Sequence, residues 1–288
     1  MHEVKHEYHE VNGIKLHIGR KGNGKKLVVL LHGWPEFWYT WRYQIPVLAN
    51  YYTVVATDLR GFNLSDKPIG IEQYKTDIVA SDIAELIKKL GFEKAHIVGH
   101  DWGGATAWTF AALYPELTDK LVVLNCPHPK VMLKSLKSNP VQIFRSWYMF
   151  YHQIPLLPEY LYDNVLPLFF KQFFRGWMYN KQNFSDADLK AFVLAFRQTG
   201  ALTGGLNYYR AMMQTKPNTS IFRNKITADT LLIWGEGDRA LGKELTNNTA
   251  DYIAGDFQLN FIQNCSHWTQ NDCPDEVNNH LLNFLGAE

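Results

Sequence analysis

The chain has 288 residues, 46% of them hydrophobic and 20% charged, enough to bury a large core without disulfide or metal support. Its formal net charge is +1, with Lys and Arg scattered among Asp and Glu; this excludes the basic footprint of a nucleic-acid binder and suits a small neutral partner. Cys126, Cys265 and Cys273 have neither metal-ligand spacing nor an even count, so they read as packing residues in a reducing compartment.

The N-terminal MHEVKHEYHEVNG is polar where a secretory signal needs an apolar stretch, and no run approaches the roughly 18 apolar residues of a spanning helix. A cytoplasmic protein without a membrane span is expected, as a monomer or homodimer. Residues 4–20 alternate apolar and polar around Asn12-Gly13, which predicts an antiparallel hairpin. Short apolar runs then follow: KLVVLLH, YTVVATD, KAHIVGH, KLVVLN and TLLIWG. They alternate with helical stretches such as DIVASDIAELIKKL and GGATAWTFAALY. Continuous apolar strands separated by helices predict a mostly parallel sheet covered on both faces, with functional residues just past the strand ends.

The rhythm stops after Asn125 and resumes near Thr230. The stretch between is too long for a structureless loop and is rich in Phe, Tyr and Trp. It reads as short helices broken by Pro140, Pro155, Pro158, Pro167 and Gly204-Gly205. We expect a core domain of residues 1–129 and 218–288, and a helical cap of residues 130–217 over a largely apolar pocket. Within the cap, LFFKQFFRGWMY, residues 168–179, could lie on a membrane surface; aromatic stripes of this kind are more often packed inside.

The string KAHIVGHDWGGATAW runs strand, Gly99-His100-Asp101-Trp102-Gly103, helix. This is the context of a nucleophile elbow, GxSxG, with Asp101 where the serine would stand. A carboxylate with a reference pKa of ~3.9 is ionised at neutral pH and attacks without a base. It suits displacement at a saturated carbon, giving an alkyl ester; the competing reading makes Asp101 a helix cap. Cleaving that ester takes water, a base and an acid to hold the base. His267 follows the strand-like FQLNFI, and Asp238 stands just past TLLIWG, so the order Asp101, Asp238, His267 is nucleophile, acid, histidine. Glu236 rivals Asp238. His32 and His100 lie inside motifs, and His128, His152 and His280 lack a strand-end acid in the right order. The oxyanion formed on the way needs placed donors, and the backbone N–H groups of Trp34, after Gly33, and Trp102 are the natural pair.

HGWPE, RGFNLSDKP, GHDWGG, WGEGD and SHWTQ, in this order, resemble the epoxide hydrolases of the α/β-hydrolase superfamily, from the hairpin to the last helix. The resemblance implies the α/β-hydrolase fold: a mostly parallel sheet, an N-terminal antiparallel hairpin and an inserted helical cap. It also implies hydrolysis of a small apolar epoxide by water to a vicinal diol, without cofactor or metal. GHDWGG is shared with haloalkane dehalogenases, but similar members of that family tend to carry Asn at the position of Trp34. Fluoroacetate dehalogenases tend to carry Arg at Trp102. Epoxide hydrolases meet the opening ring oxygen with two cap tyrosines, and the best matches are Tyr148 in RSWYMFYHQIP and Tyr209 in GGLNYYR. Tyr151 and Tyr208 are their rivals. A dehalogenase, or a non-catalytic ligand-binding protein on this scaffold, are the alternative functions.

Overall fold

The computed structural model describes residues 4–216, 218 and 220–287; residues 1, 217 and 288, which bound the expected domains, lie outside them. The N-terminal strands β1 (Lys5–Val11) and β2 (Ile14–Lys21) pair antiparallel, joined by Asn12 and Gly13, both at positive φ, as a tight two-residue hairpin turn requires. The strands β3 (Leu27–Leu31), β4 (Thr53–Thr57), β5 (Ala95–His100), β6 (Thr118–Leu124), β7 (Asp229–Gly235) and β8 (Phe257–Ile262) complete an eight-stranded sheet. Its order is β1-β2-β4-β3-β5-β6-β7-β8. From β4 onward every pairing is parallel.

Burial explains why the central strands carry no polar alternation. Every residue of β3, β4 and β5 is buried, because helices cover both sheet faces. Of the helices α1 (Gln44–Leu48), α2 (Thr76–Lys89) and α3 (Trp102–Leu113), α2 keeps its apolar residues on one side, whereas α3 buries nine of its twelve residues. A helix apolar all round belongs in the interior, and α3 starts at the carboxyl end of β5.

Among the described residues six α-helices stand between β6 and β7: α4 (Pro129–Ser138), α5 (Pro140–Arg145), α6 (Trp147–Tyr151), α7 (Leu157–Phe170), α8 (Asp186–Phe196) and α9 (Ala201–Gln214). The helices α10 (Thr269–Asp272) and α11 (Pro274–Leu285) close the chain. Two expected breaks are not breaks. The helix α7 runs through Pro167 and passes into a π turn at Lys171–Arg175. The helix α9 runs through Gly204-Gly205 because those glycines serve close approach. A Cβ at Gly204 would collide with the Gly61 carbonyl oxygen, and one at Gly205 would lie 2.7 Å from Trp34 Cδ1. The aromatic stretch 168–179 packs largely inward, with Phe170 and Phe174 fully buried. Among the described residues no helix is long and apolar enough to cross a membrane.

Candidate active site

The turn from β5 into α3 holds Asp101 at φ 49° and ψ −119°, a strained conformation for a residue with a side chain. Gly99 and Gly103 make it possible: a Cβ on Gly99 would strike the Gly103 carbonyl, and one on Gly103 would strike the Leu31 carbonyl. The Asp101 side chain does not cap α3. Its Oδ1 accepts from the Trp34 N–H at 2.8 Å, and the α3 N-terminus beside it favours a negative charge. Gly33 lets the β3 turn come this close, since a Cβ there would lie 2.6 Å from Asp101 Oδ1.

Loops past β7 and β8 bring the other two groups to the same point. His267 Nδ1 lies 2.6 Å from Asp238 Oδ2, and His267 Nε2 lies 3.6 Å from Asp101 Oδ2. Asp238 is buried and saturated with donors. Asn125 Nδ2 donates to its Oδ2 at 2.8 Å, and the Ala240 and Leu241 amides donate to its Oδ1 at 2.8 Å each. Burial pushes the Asp238 carboxyl up, but the His267 charge and these hydrogen bonds outweigh it and hold it below its usual value. Burial pushes His267 down; Asp238 first, then Asp101, overcome that and raise it to about 10. The rival Glu236 is engaged elsewhere, with its Oε1 2.8 Å from Lys243 Nζ at the surface.

Asp101 and Trp102 line an apolar cavity of about 370 Å³, together with Cys126, Tyr148, Met149 and Tyr209. Tyr148 on α6 and Tyr209 on α9 face each other edge to face, their rings 5.8 Å apart, and Tyr209 meets the Trp102 ring at 5.0 Å. Burial, then the charge of Asp101, push both hydroxyls well above the usual tyrosine range, so both are neutral donors at physiological pH. The adjacent tyrosines differ. Tyr208 also lines the cavity, but its hydroxyl donates to the Arg60 carbonyl at 3.0 Å. Tyr151 packs beside Trp147, His152 and Tyr162.

Four of the other histidines make structural contacts. His32 Nδ1 bonds the Gly33 carbonyl and its Nε2 accepts from the Leu59 amide; His128 stacks on Tyr252 at 4.4 Å. His152 packs edge-on to Trp34 and Tyr209, and His280 lies beside Asn260. The three cysteines are buried and unpaired.

Glu36 is a positioning residue to which the sequence reading gave no role. It is fully buried and accepts from four donors: Gly33 N at 2.9 Å, His100 Nδ1 at 2.8 Å, Thr40 Oγ1 at 2.7 Å and Gln270 Nε2 at 2.9 Å. His100 donates from its other nitrogen to the His267 carbonyl at 2.8 Å. One carboxylate thus ties together the Trp34 turn, the elbow and the His267 loop. Burial pushes Glu36 up, but His100 and the hydrogen bonds prevail and hold it at about 2. The signal available was its place in HGWPE; its partners lie up to 234 residues away.

Comparison with known proteins agrees with this fold. The sequence profile of the alpha/beta hydrolase fold matches residues 26–272. Human epoxide hydrolase 4 is 39% identical over 282 residues, covering 96% of this chain and 77% of its own. The AB hydrolase superfamily protein YfhM of Bacillus subtilis is 39% identical and covers 99% of both chains. The crystal structure of Bacillus megaterium epoxide hydrolase in complex with an inhibitor superposes with a TM-score of 0.84 at 32% identity, over 97% of this chain and 100% of that one. By sequence and by fold alike, the chain belongs to the epoxide hydrolase family of the α/β-hydrolase fold.

Proposed function

We propose that this chain hydrolyses small apolar epoxides to vicinal diols through an ester on Asp101. The observation that carries the reading is one apolar cavity lined by the Asp101 carboxylate, with His267 and Asp238 behind it, and by the Tyr148 and Tyr209 rings. Asp101 attacks an epoxide carbon, the carbon–oxygen bond breaks, and the departing alkoxide is met by the two hydroxyls. The insert 130–217 is the cap that supplies them. His267, held by Asp238, then takes a proton from water, which attacks the ester carbonyl carbon. The Trp34 and Trp102 amides stabilise the oxyanion, and the diol leaves as the carboxylate re-forms. No cofactor or metal takes part. We assign the reaction to the cytoplasm, in keeping with three unpaired buried thiols.

The charges order the two steps. In the resting site two carboxylates hold His267 protonated, with its pKa raised to about 10. Esterification removes the Asp101 charge, so the His267 pKa falls and the ring becomes a base only when there is an ester to cleave. The proton it gives up balances the one the alkoxide takes up.

The test is a single turnover in heavy-oxygen water on a panel of terminal, styrene-type and internal epoxides. Because water attacks the carboxyl carbon, the label enters Asp101 first and the diol only on later turnovers. Label in the first-turnover diol overturns the ester mechanism. Halide release from haloalkanes, without diol from any epoxide, overturns the substrate class.

A further inference from the structure

The outer surface of the cap is the least conventional part of the molecule. Of the 21 large hydrophobic side chains exposed among the described residues, 12 fall between Val141 and Leu168, about a tenth of the chain. Phe144 is 79% exposed, Trp147 60% and Leu156 77%. The helix α7 repeats this pattern at helical spacing: Leu157, Leu161, Val165 and Leu168 stand open on one side, while Leu166 and Phe170 are buried on the other. A helix apolar on both faces has one face without a partner, and a patch of this extent marks an interaction surface.

Charge identifies the partner. Residues 130–175 contain Lys130, Lys134, Lys137, Arg145, Lys171 and Arg175 against Glu159 and Asp163; Arg145 and Arg175 are paired with Glu244 and Asp186 from outside the stretch, so its basic character rests on the four lysines. Glu159 is bound by Arg210 at 2.6 Å, which leaves Asp163 as the exposed carboxylate of α7. Exposed aromatic and aliphatic side chains among basic residues are the chemistry that lies on a negatively charged lipid surface. A second copy of the chain would set two surfaces of the same sign against each other.

We propose that the outer face of α5, α6 and α7 docks on an anionic bilayer, with Phe144, Trp147 and Leu161 among the acyl chains and Lys134 and Lys137 against the headgroups. The helix α4 joins this surface to the active site, since Lys130 and the half-exposed Leu133 line the cavity that reaches Asp101. An apolar substrate dissolved in the lipid then enters from the side on which it concentrates.

The test is flotation of the full chain with phosphatidylcholine vesicles, with and without phosphatidylglycerol. The wild type floats with the anionic vesicles and at least ~10-fold less with phosphatidylcholine alone, and added salt releases it. The Phe144→Ser/Leu161→Ser variant loses ~10-fold or more of the binding while keeping its thermal midpoint. Should that variant fail to fold, Lys134→Glu/Lys137→Glu, at exposed positions, gives the same loss on the anionic vesicles. Three results overturn the proposal: equal binding to both vesicles, folded variants that bind as the wild type does, or a wild type that ignores vesicles and instead forms a dimer dissociated by Phe144→Ser/Leu161→Ser.

Discussion

The two sides of the cavity are built on opposite principles. On the core side the groups that matter are carboxylates met by fixed donors: four on Asp238, four on Glu36, and the Trp34 amide on Asp101. On the cap side the groups are neutral, and Tyr148 and Tyr209 stand among Trp34, Trp102 and His152 in edge-to-face contacts. The division has a physical cause. Buried charges need fixed dipoles close by, and strand ends and a helix N-terminus supply them. A neutral donor needs only apolar walls that keep its proton on, and those walls can be assembled from side chains alone. Charge management therefore belongs to the sheet, and shape to the cap.

Four variants probe that division, from the largest expected effect to the smallest. His267→Gln removes the base but leaves the nucleophile, so steady-state diol formation falls ~10³-fold or more while Asp101 is still alkylated. Intact-mass spectrometry should show one substrate mass added per chain; a variant that turns over at near wild-type rate would place the base elsewhere. Glu36→Gln leaves His100 buried without its carboxylate and costs ~3 kcal/mol in denaturant unfolding. The Glu36 pKa is lowered from 4.5 to about 2, so its contribution is complete above about 4.5 and is lost as pH falls through about 2. The variant's stability should accordingly fall less steeply over that interval, and an unchanged acid limb would mean that Glu36 carries little of the coupling. Tyr148→Phe and Tyr209→Phe each remove only a neutral donor: ring opening slows ~10²-fold, with the thermal midpoint nearly unchanged. A large loss of stability in either would show that the cap side, too, is held by polar bonds.

How much was legible in the sequence follows the same division. The parallel sheet was readable because strands buried on both faces leave continuous apolar runs such as LVVLL and TVVAT. The strand-end positions of Asp101, Asp238 and His267 were readable because Asp101 follows β5 directly and the other two stand in the short segments just past β7 and β8. The choice between Tyr148 and Tyr151, or between Tyr208 and Tyr209, was not, because a segment this aromatic has no polar contrast to show which face turns inward. It took the Tyr208 bond to the Arg60 carbonyl to separate one pair. Glu36 stayed without a role for a different reason: its donors come from the β3 turn, β5 and the His267 loop, and no local pattern announces such a convergence. Pro167 and Gly204-Gly205 misled because residues that end helices in isolation are accepted inside them when packing demands it.

The passage of α9 across Gly61 and Trp34 has a practical bearing on changing what this protein accepts. With two glycines seated against backbone and indole, α9 has almost no freedom to slide, so Tyr209, one turn further on, keeps its distance from Asp101 whatever happens in the rest of the insert. Libraries meant to reshape the cavity are best aimed at Met132, Leu136, Met149 and Met212, which line it and make none of these contacts. A bulkier residue at position 204 or 205 would shift the proton donor along with the wall, and so confuse a change of selectivity with a loss of chemistry.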